Sequence, residues 1–423
     1  MGDPCVIAAA EVASVDSVHV VLEAAHPGSV SAALDPLLVP RSLFFETLVR
    51  VDCAGTTVPG LAAHWTRTSD GATRFTLTGD ARFWNGAPVT ARDVAAVLAT
   101  DDRVESITVE SENTLEVRHD EDPALFAAPL LAITMAEAGS TRRQGTGVYA
   151  IESAAGTMAG VREVFGRARG TGVPPFVRIT TGPSVDGRDA LDAGADVLVT
   201  RDPDVLAYAR RLAAFDIAPL PWNRRYLLVT ATAGASLAVP AGLRESIAGE
   251  VVREDARAAT GEEAGEPAEA CPVRPHRPSP SPPTGEAVIA YPRDDATAAA
   301  LAERLAALGA SPDNAWLATR LGVRGRDRVR ATGLTAPEFA AALRAGSHVA
   351  YVLPIPTRAV PNDGNGGCPA QELLERAGWL GERGGVTPLV ETRPHLVRRR
   401  GVGPVLVDGF GAIRFVPHVG AVR

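Results

Sequence analysis

Residues Leu43 to Leu98 read LFFETLVRVDCAGTTVPGLAAHWTRTSDGATRFTLTGDARFWNGAPVTARDVAAVL, and the local chemistry of this stretch decides the fold. Leu43 to Val51 is apolar around a single Glu46 and suits a helix leading into a strand. Two short β-like runs, Ala63 to Thr66 and Arg74 to Thr78, flank Ser69-Asp70-Gly71, which is the signature of a hairpin. Gly71 and Gly86 follow an Asp and an Asn, residues that favour turns. Trp65, Phe75, Phe83 and Trp84 fall where half-buried strands place core side chains. Thr90 to Leu98 then begins with a Thr suited to the N-cap and an Asp93 in the first turn, as a helix start requires.

Outward from this stretch the pattern stays mixed. On the N-terminal side, Ser17 to Leu22 alternates as a strand, and Ala33 to Leu38 follows a loop of Gly, Pro and Ser. On the other side, Ser106 to Val109 and Thr114 to Val117 form a second hairpin around residues 110–113. Helices are expected at Gly187 to Asp192, Asp204 to Arg211 and Leu243 to Ala258, and buried strands at Asp196 to Thr200 and Tyr226 to Ala231. Residues 262–285 are dense in Pro, Glu and Ser and read as a linker. Beyond it come a strand at Val288 to Ala290, helices at Ala296 to Leu308, Pro337 to Ala345 and Glu372 to Ala377, and a strand-rich tail from Val386. Val349 to Leu353 reads as a strand ended by Pro354. The class is α/β.

The charge balance excludes several functions. At 423 residues and a formal net charge of −8, the chain lacks the basic excess of a nucleic-acid binder. All 42 basic residues are Arg, which removes any phosphate-loop, Schiff-base or general-base lysine. The longest apolar stretch, Ala124 to Ala136, contains Pro129 and falls short of the roughly 20 residues of a membrane helix. Cys5, Cys53, Cys271 and Cys368 form no CxxC metal motif. Only four residues precede Cys5, without the pattern of a secretory leader. The expected location is therefore extracytoplasmic if a signal was trimmed, and cytoplasmic otherwise.

Three ordered blocks in the opening stretch resemble the signature region of the family 5 solute-binding proteins of ABC importers, the oligopeptide, dipeptide and nickel class. Pro59, Gly60, Leu61, Ala62 and Trp65 match the first block, and Ser69, Asp70, Gly71, Phe75 and Leu77 the second. Phe83, Asn85, Gly86, Pro88, Val89, Thr90, Ala91, Asp93 and Val94 match the third. Fainter echoes follow in order at Gly145 to Tyr149, Leu191 to Val197, Leu243 to Glu254 and Gly384 to Leu389.

The resemblance implies a periplasmic-binding-protein-like type II bilobal clamshell of mixed sheets with an extra subdomain. Lobe I would comprise residues 1–45, 144–227 and 385–423, its subdomain residues 46–143, and lobe II residues 228–384. It also implies a small organic ligand, peptide-like or otherwise anionic or amphipathic, and an ABC permease as partner to a monomer. Peptide-binding members carry an Asp-bearing stretch where this chain reads SHVAYVLPIPT (Ser347 to Thr357), without an Asp.

The candidate ligand contacts are Glu23 and His26 after the first strand, Phe44, the run Trp222, Asn223, Arg224, Arg225 and Tyr226, and Tyr351 with Arg358. Two guanidinium groups beside an indole and an amide suit a carboxylate or phosphate. No nucleophile motif, metal-ligand spacing or cofactor loop is present, so no catalytic residue, metal or cofactor is assigned. His119 to Asp122 reads as a solvated acidic turn, and Cys271 with Cys368 as a disulfide pair if the protein is exported. The alternative function is a cytosolic member of the same fold, reused as a biosynthetic enzyme or a ligand-sensing accessory protein.

Overall fold

The computed structural model describes residues 5–8, 15–23, 42–101, 103–119, 126–127, 131–136, 143–156, 162–182, 185–230, 256–258, 286–293, 295–310, 328–356, 385–409 and 411–417. The expectations for residues 33–38, 262–285 and 372–377, and for Cys271 and Cys368, lie outside them.

The opening stretch folds as its local chemistry requires. Strands Ala62–Arg67 and Thr73–Leu77 pair antiparallel across a turn in which Gly71 has φ +88°. Thr114–His119 and Val104–Val109 complete a four-stranded sheet. The helix Ala91–Leu98 is closed at its start by a capping box between Thr90 and Asp93, and it buries Ala91, Val94 and Leu98. Phe75, Phe83, Leu115 and Val117 join them in one core.

Residues 43–51 depart from expectation. Only residues 42–44 are helical, and the chain then runs extended into the strand Val49–Val51. The carbonyls of Glu46, Thr47 and Leu48 accept from Ile133, Leu61 and Ala62 and so are unavailable to an i+4 amide. A Cβ on Gly145 or Gly147 would stand 2.4 Å from backbone atoms of Phe44, so the Gly145-Thr146-Gly147 turn allows two backbones to touch.

Two large mixed sheets form the rest. The first has seven strands in the order Tyr149–Gly156, Arg162–Ala168, Phe176–Gly182, Ser17–Glu23, Val197–Thr200, His395–Arg399, Phe215–Pro219. Its centre is parallel: Ser17–Glu23 lies between Phe176–Gly182 and Val197–Thr200, all running the same way. Val18, Val20 and Leu22 enter one core and Val21 the core on the opposite face, under the helices Gly187–Asp192 and Pro203–Ala209. A strand covered on both faces must be apolar at successive positions, as Val20, Val21 and Leu22 are.

The second sheet has six strands in the order Ala256–Ala258, Gly385–Thr392, Arg224–Thr230, Ala350–Pro356, Glu286–Pro292, Arg328–Leu334. Tyr226 and Leu228 pack toward the helix Ala296–Ala310, while Leu227 and Val229 share the opposite core with Phe339 and Leu343 of the helix Ala336–Ala345. Two expectations are corrected here. Residues 256–258, expected at the end of a helix, form a strand paired with Gly385–Thr392. Pro354 does not end its strand, which continues through Pro356. The parallel neighbour pairs only at Ala350 and Tyr351, so the missing N–H groups of Pro354 and Pro356 cost no ladder bond on that side.

Cys5 and Cys53 form a disulfide that ties the first strand to the loop after Val49–Val51.

Candidate ligand site at the crossing between the large sheets

The chain passes between the two large sheets at two neighbouring points. Phe215–Pro219 leads through residues 220–223 into Arg224–Thr230, and Gly385–Thr392 leads through Arg393 and Pro394 into His395–Arg399. The two passages lie side by side: Leu220 N–H donates to Pro394 O at 2.9 Å and Asn223 N–H to Thr392 O at 3.4 Å. They occupy the carboxyl-end edge of the parallel strands, because His395 is in register with Thr200, the last residue of Val197–Thr200. That edge is where open α/β sheets bind ligands.

Four of the ten candidates from the sequence line this crossing. Trp222 lies under the Arg393 guanidinium, whose central carbon is 4.9 Å from the indole centroid. Asn223 Oδ1 accepts from Arg201 Nη2 at 2.5 Å, which links the first passage to the end of the parallel strand Val197–Thr200. Arg224 Nη1 is 3.5 Å from Asp295 Oδ2. Arg225 donates through Nε and Nη2 to Glu391 Oε1, its partner in register on the adjacent strand.

Asp295 is the organising acid of the second sheet at this point. Its carboxylate accepts from Ala298 N at 2.9 Å, closing the start of the helix Ala296–Ala310, and from the Tyr226 hydroxyl at 3.1 and 3.2 Å. Burial, with the Asp295 charge adding to it, pushes the Tyr226 phenol up to about 12. Tyr226 therefore stays a neutral donor.

The remaining candidates are placed elsewhere. Tyr226 follows Arg225 along the strand, and its ring is 1% exposed and packed in the core with its hydroxyl on Asp295. Tyr351 is likewise buried. It pairs with Val229, five positions from the Arg224–Pro356 pair and thus about 17 Å along the strand. Its hydroxyl donates to Ala342 O at 2.7 Å and accepts from His348 N at 2.9 Å, and burial raises its pKa. Phe44 is 2% exposed and stacks edge-on with Phe45 and Trp84, in the core that also holds Leu220 and Leu396. Glu23 ends the central strand at the carboxyl edge. His26 and Arg358 lie outside the described residues.

Sequence reading missed Arg201, Asp295, Glu391 and Arg393. Each stands at or beside an element's end, and nothing local distinguishes it from an ordinary surface charge. Only the pairing of distant strands brings them together. Among the described residues no cluster of three or more His, Cys, Asp or Glu side chains could hold a metal ion.

Solved structures share this architecture across nearly the whole chain. The chain is similar to NikA from Staphylococcus aureus in complex with Ni(L-His)2, with TM-score 0.64 and 13% identity over 95% of this chain and 98% of that one. It is also similar to the murein tripeptide binding protein MppA of Escherichia coli, with TM-score 0.60 and 14% identity over 93% and 98% of the two chains. A third is AgaA in complex with agropinic acid, from A. tumefaciens R10, with TM-score 0.59 and 14% identity over 91% and 94%. No protein-family model matches the chain, and no curated protein matches it. The fold is thus a mixed α/β one of the periplasmic-binding-protein-like kind, with a four-stranded subdomain inserted in it.

Proposed function

We propose that this chain is a solute-binding protein that captures a small organic molecule at the crossing between its two large sheets and serves an ABC-type importer. The observation that carries this reading is the pair of side-by-side passages at the carboxyl-end edge of the parallel strands. Two adjacent passages allow one body to rotate on the other without breaking either sheet. A ligand that binds the closed arrangement better than the open one shifts the molecule toward closure.

On this reading the lobes divide as the family resemblance implies: residues 1–45, 144–227 and 385–423 in the first, 46–143 in its subdomain and 228–384 in the second. NikA, MppA and AgaA supply the precedent of small-molecule capture on this architecture. The Cys5–Cys53 disulfide supports an oxidising, extracytoplasmic setting, since cytosolic thiols are kept reduced.

The test is mass spectrometry of small molecules released from the purified protein, followed by re-addition of each to solute-stripped protein. A released compound that rebinds saturably and raises the melting temperature supports the reading. Protein that carries no small molecule and responds to none of the low-molecular-weight fraction of its native medium contradicts it.

A further inference from the structure

The guanidinium groups at the crossing are not equivalent. Arg225 is held by Glu391, and Arg224 faces Asp295. At the far end of the strand His395–Arg399, away from the crossing, Arg399 pairs with Asp196 and Arg400 with Asp216. Arg393 differs from all of these: among the described residues no carboxylate lies within ion-pair distance of it, and its Nε is buried without a hydrogen-bond partner. Its guanidinium is instead laid on the Trp222 ring. The ring covers one side of the cation, while the flanking Pro394 restricts the backbone.

From this we infer that Arg393, placed over the Trp222 ring, is the group that selects the solute, and that the solute is a small organic anion recognised through a carboxylate. The inference rests on the solute-binding reading above and names the ligand class for that site. A planar cation with no carboxylate partner among the described residues, one side of it covered by the indole, suits the two oxygens of a carboxylate. An amide of the same shape offers no charge and brings N–H donors against N–H donors. Discrimination therefore comes from the unneutralised charge as much as from the fit. Arg224 and Arg225 tune the field at the crossing and keep their internal acids.

The experiment compares matched pairs, benzoate against benzamide and succinate against succinamide, by calorimetric titration of the solute-stripped full chain at low ionic strength. At least one carboxylate is expected to bind saturably, and at least about ten-fold more tightly than its amide, the scale of one charge-assisted hydrogen bond. Arg393→Gln should remove that preference, and Arg393→Lys should restore part of it. Arg400→Gln, an exposed pair partner of Asp216, should leave binding unchanged. The melting temperature of each ligand-free variant is measured alongside, so that loss of fold is separated from loss of binding.

Equal binding of acid and amide, no saturable binding of either carboxylate, or full retention of the preference in Arg393→Gln overturns the inference. A neutral molecule that co-purifies and rebinds keeps the solute-binding reading while removing the anion from it.

Discussion

Arg225 and Glu391 face each other in register across two adjacent strands, with Arg225 Nη2 2.5 Å from Glu391 Oε1 and the glutamate 1% exposed. The pair stands within two residues of both passages between the sheets, so it ties together the strands about which the proposed closure would turn. Removing one partner leaves the other charge buried and uncompensated, which costs about 3–5 kcal/mol in such pairs. Arg225→Met alone should destabilise the protein on that scale in urea titration. Arg225→Met combined with Glu391→Leu should recover most of the loss. Equal stability of single variant and wild type would show that the pair is solvated.

Asp295 joins a helix start to the crossing. Asp295→Ala removes the cap of Ala296–Ala310 together with the acceptor for Tyr226, so a loss of about 2 kcal/mol or more is expected. Tyr226→Phe should cost less, about 1 kcal/mol, because only the hydroxyl is deleted. A double-mutant cycle measures the coupling, and strict additivity would contradict a shared network.

The Cys5–Cys53 disulfide closes a loop of 48 residues. Loop-closure entropy for that length amounts to about 4 kcal/mol. Cys53→Ser should lower stability by up to this amount and lower the melting temperature under non-reducing conditions, and reductant should do the same to the wild type. A melting curve insensitive to reductant would show that the pairing carries no stabilisation.

Two histidines give the stability its pH dependence. Burial holds the pKa of His19 and of His348 below the ordinary 6.5, with Arg178 and Arg330 respectively adding repulsion. The unfolded chain therefore binds more protons at these sites, and stability falls as pH drops below about 6.5. His19→Gln with His348→Gln should flatten the decline in melting temperature between about pH 7 and pH 5. An unchanged slope would assign it to other groups.

Much of the architecture was legible because it is local. The hairpin at Ser69-Asp70-Gly71, the capping box of Thr90 and Asp93, and the apolar run of Ser17–Glu23 each follow from neighbours within a few residues. Leu43 to Val51 does lead from a helical start into a strand, but the helix stops at Phe44 because Ile133, Leu61 and Ala62 claim the carbonyls of Glu46, Thr47 and Leu48, and these partners are invisible locally. Pro354 was read as a terminator because sequence does not show that the strand has a neighbour on only part of one side. The site was half legible. Trp222 to Arg225 stand out as an unusual run, but their acids Asp295 and Glu391, and Arg393 over the Trp222 ring, come from segments about 70 to 170 residues away, joined only by sheet order.

The measurement that bears most directly on solute capture by two hinged bodies is small-angle X-ray scattering of solute-stripped protein, before and after addition of the compound released from the native preparation. The radius of gyration and the maximum dimension should both fall on saturation, at a ligand concentration matching the thermal shift. Binding with both dimensions unchanged, or no change at any ligand concentration, would contradict closure about the two passages.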